Sequence, residues 1–372
     1  MTDSAELPYW LALRRAGLGS TNFSLLLARY GDISSAWRAS AEELRRAGID
    51  PKYVAAMARA RQAFDPEREL SLLEQHGARA VTWLDASFPE PLKDIPQSPP
   101  VLFVRGSLEP RFAQAVAVVG TRRVTPYGRQ AAEHFCLALA QAGVAIISGL
   151  ARGVDAIAHR VAIENHTPTV AALAGGIDQI YPRENAGLAD PILQNGCLVS
   201  EYPVGIPARR DYFPRRNRIV SGLARATLVI EAGEGSGALH TANWAFEQGR
   251  DVFAIPGSVF SRQSQGTNQL IRENTARLVA TPEQLCEELN LLSVGEQMPL
   301  TNDKGPPAPF REAPSTTADE QPLLARLAEG SLHIDELARV SGLPIAQVSS
   351  TLQIMELKGL VRQTGPMLYA RA

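Results

Sequence analysis

Five arginines and two aromatic residues lie within eleven positions of the chain, a composition suited to binding a polyanion. The segment "ARRDYFPRRNR" holds one acid, Asp211, among these basic, aromatic and amide residues: Arg209, Arg210, Tyr212, Phe213, Arg215, Arg216, Asn217 and Arg218. Guanidinium groups bind phosphates, and the bases of single-stranded nucleic acid stack on aromatic rings at about 1–3 kcal/mol each. The alternative is structural, because some of these arginines could pair with carboxylates such as Glu231 and hold the fold.

A second basic site follows a glycine turn in "VAVVGTRRVTPYG", residues 116–128. An apolar strand, a glycine and a helix in this order are typical of a phosphate-binding turn. The dinucleotide motif GxGxxG would need glycines where Arg122 and Thr125 stand, and Ser148 rather than an acid ends the next strand. The P-loop motif is also absent. The sequence therefore predicts no cofactor, and it indicates that Arg122 meets a phosphate beside the turn.

Two further motifs suggest catalysis only weakly. Asp155 and His159 are four residues apart in "SGLARGVDAIAHR", hence on one face of a helix, where they could act as a base pair or half a metal site. A buried Asp at the helix start and a packed His is the favoured alternative. "GSGALHTA" is not the GxSxG turn of serine hydrolases. We therefore expect no catalytic residue and no metal.

These motifs follow apolar strands that alternate with amphipathic helices over residues 65–290. The strand segments are 116–119, 144–148, 169–175, 197–201, 227–232, 252–257 and 277–280. The helices are predicted over 128–142, 155–164, 184–195, 214–224, 237–249 and 266–275. Continuous apolar strands are buried on both faces, so the pattern predicts an α/β fold with a Rossmann-like, doubly wound, mostly parallel sheet. Ligands of such sheets bind where the strands end, and most of these Gly-rich and charged loops lie there.

The two ends of the chain differ from this middle region. Residues 1–62 are predicted to be helical, with turns at "AGLGS" and "RRAGIDP", as in a sterile-alpha-motif-like or helix-hairpin-helix domain. A helix-hairpin-helix can bind a nucleic-acid backbone through its turn amides, whereas a packing role is an equal alternative. Residues 291–319 are Pro-rich and polar, which predicts a flexible linker. Residues 320–372 contain helix–"SGLP"–helix and a hairpin, which predict a winged helix.

Charge and cysteine usage limit the function classes. The net charge is -2, with 37 Lys and Arg against 39 Asp and Glu, so polyanion binding requires local clustering of charge. The 3 cysteines form no CxxC pair, which disfavours a zinc site or a disulfide framework. The first residues do not resemble a signal peptide, and no apolar run reaches the roughly 18 residues of a membrane span. We therefore expect a cytoplasmic protein without a membrane segment.

The ordered motifs resemble the DprA/Smf family of DNA-processing proteins of bacterial natural transformation. They are "VAVVGTRRVTPYG", "ISGLARGVDAIAH", "YPREN", "SEYP", "YFPRRNRIVSGL", "LVIEAGEGSGALHTA", "GRDVFAIPG" and "GTNQLI", all within residues 70–290. The resemblance implies a non-enzymatic protein that binds incoming single-stranded DNA, forms a homodimer through the Rossmann-like domain and helps to load RecA recombinase. It places the family's DNA-contacting basic residues at Arg122 and at Arg183, where many relatives have lysine. The candidate DNA-binding set is Gly120, Thr121, Arg122, Ser148, Gly149, Gly153, Arg183, Asn185, Phe213, Arg215, Arg216, Asn217 and Arg218.

Two other functions remain open at the sequence level. The first is a nucleoside-monophosphate phosphoribohydrolase, a Rossmann-like enzyme whose "PGGxGTxxE" signature is absent here. The second is a duplex-DNA regulator that acts through the winged helix. Its expected recognition helix, "IAQVSSTLQIMELK", has one lysine and one glutamate. It therefore lacks the excess of positive charge that favours binding in the major groove of DNA. That helix is better suited to a protein partner or to weak assistance with duplex DNA.

Overall fold

The computed structural model describes residues 5–108, 114–291, 320–327, 330–357, 360–365 and 367–371. The chain divides into two compact units, residues 1–298 and 299–372. The predicted linker, residues 291–319, lies almost entirely outside the described residues. None of the helices described is long and apolar enough to cross a membrane.

The first unit contains a nine-stranded sheet in the order β1-β2-β6-β5-β4-β3-β7-β8-β9. Its strands are β1 Ala78–Thr82, β2 Val101–Gly106, β3 Val116–Val119, β4 Ile146–Ser148, β5 Thr169–Ala172, β6 Gly196–Ser200, β7 Ala226–Val229, β8 Asp251–Ala254 and β9 Arg277–Leu278. In this order, all neighbouring strands from β6 to β9 are parallel. β2 pairs with β6 in the antiparallel direction, and β1 pairs with β2 in the same way. The predicted mostly parallel sheet is confirmed, and the antiparallel pair is an addition that the alternating pattern did not predict.

Helices cover both faces of the sheet. In β3, Val116 and Val118 belong to one apolar cluster, and Ala117 and Val119 belong to another. Buried on both faces, this strand is continuously apolar, as parallel strands are. The helices from α7 onward are α7 Glu90–Lys93, α8 Pro126–Gln141, α9 Val154–Glu164, α10 Ala189–Gln194, α11 Tyr212–Gly222, α12 Gly237–Glu247, α13 Gln265–Arg272 and α14 Pro282–Glu288. Where one helix was predicted over 184–195, a 3-10 helix over Arg183–Leu188 precedes α10.

Six helices precede the sheet: α1 Leu7–Arg15, α2 Ser20–Tyr30, α3 Ile33–Arg38, α4 Ala41–Arg46, α5 Pro51–Ala63 and α6 Pro66–Gln75. Side-chain caps begin several of them, including a reciprocal capping box between Ser40 and Glu43 at α4. Trp10 and Phe23 are fully buried in one apolar cluster with Phe103 of β2 and Leu173. The N-terminal helices and the sheet therefore share one apolar core within the first unit.

The second unit is a winged helix with its own core. Its elements are α15 Glu320–Leu327, β10 Leu332–His333, α16 Ile334–Ser341, α17 Ile345–Leu357, β11 Val361–Gly365 and β12 Leu368–Arg371. The strands form an antiparallel sheet in the order β10-β12-β11. Leu323, Leu337, Leu352 and Tyr369 are buried between the helices and this sheet. The predicted winged helix is confirmed.

Candidate nucleic-acid interface

A crevice lies where the winding of the sheet reverses. The chain leaves β3 toward β4 on one side and leaves β7 toward β8 on the other, while β3 and β7 are hydrogen-bonded neighbours. Open α/β sheets bind ligands at such a switch point, outside the carboxyl ends of the strands. The turn after β3 and the Gly-rich loop after β7 line a crevice of about 750 Å³, called the crevice below.

Glu231, two residues after β7, holds the turn after β3 in place. Its carbonyl oxygen accepts the Thr121 amide at 2.7 Å. Its buried carboxylate accepts the Thr125 amide at 2.9 Å and the Thr125 hydroxyl at 2.5 Å. Glu231 therefore fixes a turn that leaves Arg122 and Arg123 exposed at the mouth of the crevice, and it pairs with none of the arginines that the structure describes.

Arg122 lies over an aromatic pair. The guanidinium carbon of Arg122 is 5.2 Å from the centre of the Phe213 ring, a cation–π distance. Phe213 contacts Tyr181 edge-on, with 5.6 Å between ring centres. All three side chains line the crevice, and Tyr181 is half exposed. The group combines an exposed cation with the half-exposed ring of Tyr181, and these are the two elements needed to bind a phosphate and a neighbouring base.

A buried arginine forms the floor of the crevice. Arg216 is 4% exposed, and its Nη1 donates to the Ala172 carbonyl at 3.1 Å. A Cβ at Gly149 would lie 1.4 Å from that nitrogen, so the guanidinium occupies space that only a glycine leaves open. Burial lowers the pKa of Arg216, the Asp155 carboxylate opposes that shift, and Arg122 adds to it. Nε of Arg216 is buried and has no hydrogen-bond partner in the part of the chain that the structure describes.

Asp155 and His159 are both buried, the alternative that the sequence favoured. The Asp155 carboxylate accepts the amides of Gly149 at 3.1 Å and Ala151 at 3.3 Å, which shapes the loop after β4. Burial raises the pKa of Asp155, and Arg216 and those amides oppose the rise. Burial and Arg216 lower the pKa of His159 to about 3, and its Nδ1 lies 2.8 Å from the Thr169 hydroxyl. His159 is therefore enclosed and neutral at physiological pH.

The structure separates the predicted site residues into groups. Seven of the thirteen line the crevice: Gly120, Thr121, Arg122, Gly149, Phe213, Arg216 and Asn217. Three others are buried and hold the fold. Ser148 donates to the Val118 carbonyl, Asn185 donates to the Leu150 and Ala151 carbonyls, and Arg218 is paired with Glu201.

The remaining three are placed beside the crevice rather than in it. Gly153 supports the turn that carries Arg122. Arg183 is exposed two residues after Tyr181 and forms no ion pair with any residue that the structure describes. Arg215 is exposed on a different face of α11 from Arg216.

Several crevice residues were absent from the predicted set. They are Arg123, Tyr181, Arg210, Ser236 and His240, among others. Arg210 was part of the arginine-rich segment, whereas the loop that carries Ser236 was recognised only as Gly-rich. Four arginines, at positions 122, 123, 210 and 216, face two acids, Asp155 and Glu234, so the crevice carries excess positive charge.

Gly153→Ala is expected to lower the free energy of unfolding by about 2–3 kcal/mol. Gly153 has a φ of 76°, and its added Cβ would lie 2.2 Å from the Thr121 carbonyl oxygen and 2.9 Å from the Arg122 backbone. The matched control is Gly143→Ala, where φ is 70° but nothing lies within 4 Å, and about 1 kcal/mol is expected. Urea unfolding of both variants measures the difference. Equal losses would mean that the contact with the Arg122 turn costs nothing.

The sequence of the chain matches two family models that belong to one known family. Residues 79–290 match the family model of DNA recombination-mediator protein A, and residues 306–365 match the DprA winged helix domain. The chain belongs to the DprA/Smf family. The Protein Smf of Synechocystis is 34% identical over 99% of both chains, and that of Escherichia coli is 38% identical over 79% of this chain and 78% of its own.

Solved structures agree with this assignment. DNA processing protein A of Streptococcus pneumoniae is 32% identical, covers 76% of this chain with 97% of its own, and gives a TM-score of 0.68. The Helicobacter pylori DNA processing protein A is 28% identical, covers 58% of this chain with 97% of its own, and gives a TM-score of 0.52. The predicted resemblance to DprA/Smf proteins is therefore confirmed.

Proposed function

We propose that this chain binds single-stranded DNA in the crevice and helps to load RecA recombinase onto it during natural transformation. The main support for this proposal is the position of the exposed Arg122 over Phe213, with Arg216 at the floor of the same crevice. Phosphates would contact the guanidinium groups and the turn amides, and bases would stack on Phe213 and Tyr181. The H. pylori relative, whose structure concerns its single-stranded DNA binding mode, supports this ligand.

Binding rather than catalysis fits the polar groups of the crevice. Asp155 is occupied by two backbone amides and Arg216, and His159 is enclosed below the floor. We therefore propose a non-enzymatic role. Arg183, exposed and free of ion pairs among the described residues, would extend the cationic track past Tyr181. RecA, in the cytoplasm, is the proposed protein partner.

A homodimer through the Rossmann-like unit is part of this proposal. Among the strands described, β9 is an edge strand that pairs only with β8, and its Leu278 is half exposed. Exposed sheet edges invite pairing with another chain, and two-fold symmetry is the commonest arrangement. This edge is well separated in strand order from β3, since β7 and β8 lie between them.

A mobility-shift assay with oligo-dT at two salt concentrations tests the DNA-binding proposal. We expect a retarded complex whose log affinity falls with log salt, with a slope of about −0.7 for each phosphate contacted. A purine nucleoside monophosphate in excess should compete weakly, because it offers one phosphate in place of several. Competition by the mononucleotide equal to that of the oligonucleotide, or no complex at all, would refute the proposal.

A further inference from the structure

A second cationic cleft lies between the N-terminal helices and α11, and the proposed function does not use it. The turn between α1 and α2, with Gly17, Gly19 and Ser20, forms one wall of this cleft. Tyr212 and Arg215 of α11 form the other wall. The cleft measures about 400 Å³ and is called the hairpin cleft below. All of its lining residues belong to the first compact unit.

Positive charge exceeds negative charge in the hairpin cleft. Arg218 binds both carboxylate oxygens of Glu201, at 2.8 Å and 2.9 Å, and Arg14 approaches the same carboxylate at 3.6 Å. Two arginines thus share one acid, and all three side chains are at most 9% exposed. Arg215 adds a third guanidinium and makes no ion pair with a described residue, and Arg15 of the cleft is paired with Glu69 at 2.7 Å. The lining is therefore short of anions.

The backbone and one buried hydroxyl add hydrogen-bond donors to this charge. α2 has eleven residues and begins behind Gly19, which gives it no side-chain cap, so its first amides need acceptors from outside the helix. Nη1 of Arg14 donates to the Leu18 carbonyl at 2.8 Å and so ties the turn to the arginine pair. The Tyr202 hydroxyl, of a residue 7% exposed that lines the cleft, has no partner among the described residues. An anion in the cleft would satisfy these groups.

α11 connects the hairpin cleft to the crevice. Phe213, Arg216 and Asn217 face the crevice, with the i, i+3, i+4 spacing of one helix face. Tyr212, Arg215 and Arg218 face the hairpin cleft. A helix with its side chains is about 10–12 Å wide, so a few nucleotides span from one site to the other. Arg210 and Arg216 thus line the crevice, whereas Arg215 and Arg218 line the hairpin cleft.

We propose that the hairpin cleft binds phosphates of the same single DNA strand that the crevice holds, after the strand crosses the N-terminal end of α11. This inference rests on the proposed function and adds a second contact to it. It assigns the N-terminal helices a part in DNA binding and Arg215 a direct phosphate contact. Its consequence is that long oligonucleotides bind more tightly than short ones by engaging both sites.

Charge placed at Gly19 tests this inference without harming the fold. Gly19 is the N-cap of α2, has φ −99° and has no atom within 4 Å of an added Cβ, so Asp and Ser are both good caps there. Gly19→Asp puts a carboxylate into the cleft, and Gly19→Ser is its neutral control. We expect Gly19→Asp to weaken the binding of a long oligo-dT, of about 30 nucleotides, roughly three- to tenfold. Arg215→Ala should weaken its binding by a similar factor.

A short oligo-dT, of about 6 nucleotides, separates this inference from the proposed function. Its affinity should be the same for wild type, Gly19→Asp and Gly19→Ser, because it fills the crevice alone. Thermal melting should give the Asp variant a midpoint equal to or above that of wild type. Equal affinity of Gly19→Asp and Gly19→Ser for the long oligonucleotide would overturn the hairpin cleft alone. Failure of the wild type to bind either oligonucleotide would overturn the proposed function.

Discussion

Arg122→Ala should weaken the binding of oligo-dT by about 10- to 100-fold. A hydrogen bond to a charged group contributes about 1.5–3 kcal/mol, and 1.4 kcal/mol corresponds to a factor of ten. Arg122 is exposed, and its position over Phe213 restricts the side chain before any ligand arrives. The loss should be equal for oligonucleotides of different sequence, because a phosphate contact reads no base. Mobility shifts at several salt concentrations measure both the affinity and its salt slope, which should flatten by about 0.7.

Arg160→Ala is the charge-matched control for this result. Arg160 is an exposed arginine of α9 that lines neither the crevice nor the hairpin cleft. Its replacement removes the same charge but should leave the affinity within about twofold of wild type, since exposed charges at a distance are largely screened. If the chain loads RecA as proposed, Arg122→Ala, but not Arg160→Ala, should also reduce the stimulation of RecA ATP hydrolysis on single-stranded DNA. Equal effects of the two replacements on affinity would assign the binding to net charge instead of the crevice.

The parallel part of the sheet could be predicted from the sequence because most of its strands are short apolar runs that alternate with helices. β3 to β8 and α8, α9 and α11 to α13 coincide with predicted segments, with first residues that differ by at most two. β1 and β2 lie outside that alternation and are separated by the Pro-rich stretch 83–100, so no helical period marks them as parts of the same sheet. Their antiparallel pairing depends on long-range contacts with β6 that local pattern does not encode.

The roles of the arginines could be predicted only in part. Composition identified the segment that carries Arg215, Arg216 and Arg218, but it could not separate exposed side chains from buried ones. That separation depends on partners far along the chain: Glu201 lies 17 residues from Arg218, and the Ala172 carbonyl lies 44 residues from Arg216. The sheet topology brings them together. Glu231, the carboxylate suggested by sequence as an arginine partner, binds the turn after β3 instead.

Glu201→Gln should destabilise the chain by about 3–5 kcal/mol at neutral pH. The replacement leaves Arg14 and Arg218 buried without a counter-charge, and breaking a buried pair by removing one partner has a cost of this size. The pair also joins α1 to the sheet, since Arg14 donates to the Glu201 carbonyl at 2.7 Å. Glu184→Gln is the matched control, because Glu184 binds Arg152 through two bonds of 2.6 Å and 2.7 Å, with both side chains about half exposed. An exposed pair contributes about 0–1 kcal/mol, and urea unfolding of both variants measures the contrast.

The pH dependence identifies charge as the cause of that loss. Burial alone would raise the pKa of Glu201, but Arg218 and Arg14 outweigh it, and the pKa of the folded chain lies below the usual value. A lowered pKa contributes stability above the unfolded value of about 4.3, and the contribution disappears as the pH falls through the folded pKa. The difference between wild type and Glu201→Gln should therefore be largest at pH 6–7 and shrink in acid, because wild-type Glu201 becomes protonated and neutral like glutamine. A difference that stays constant down to pH 3 would assign the loss to packing around the glutamine and would contradict the electrostatic account.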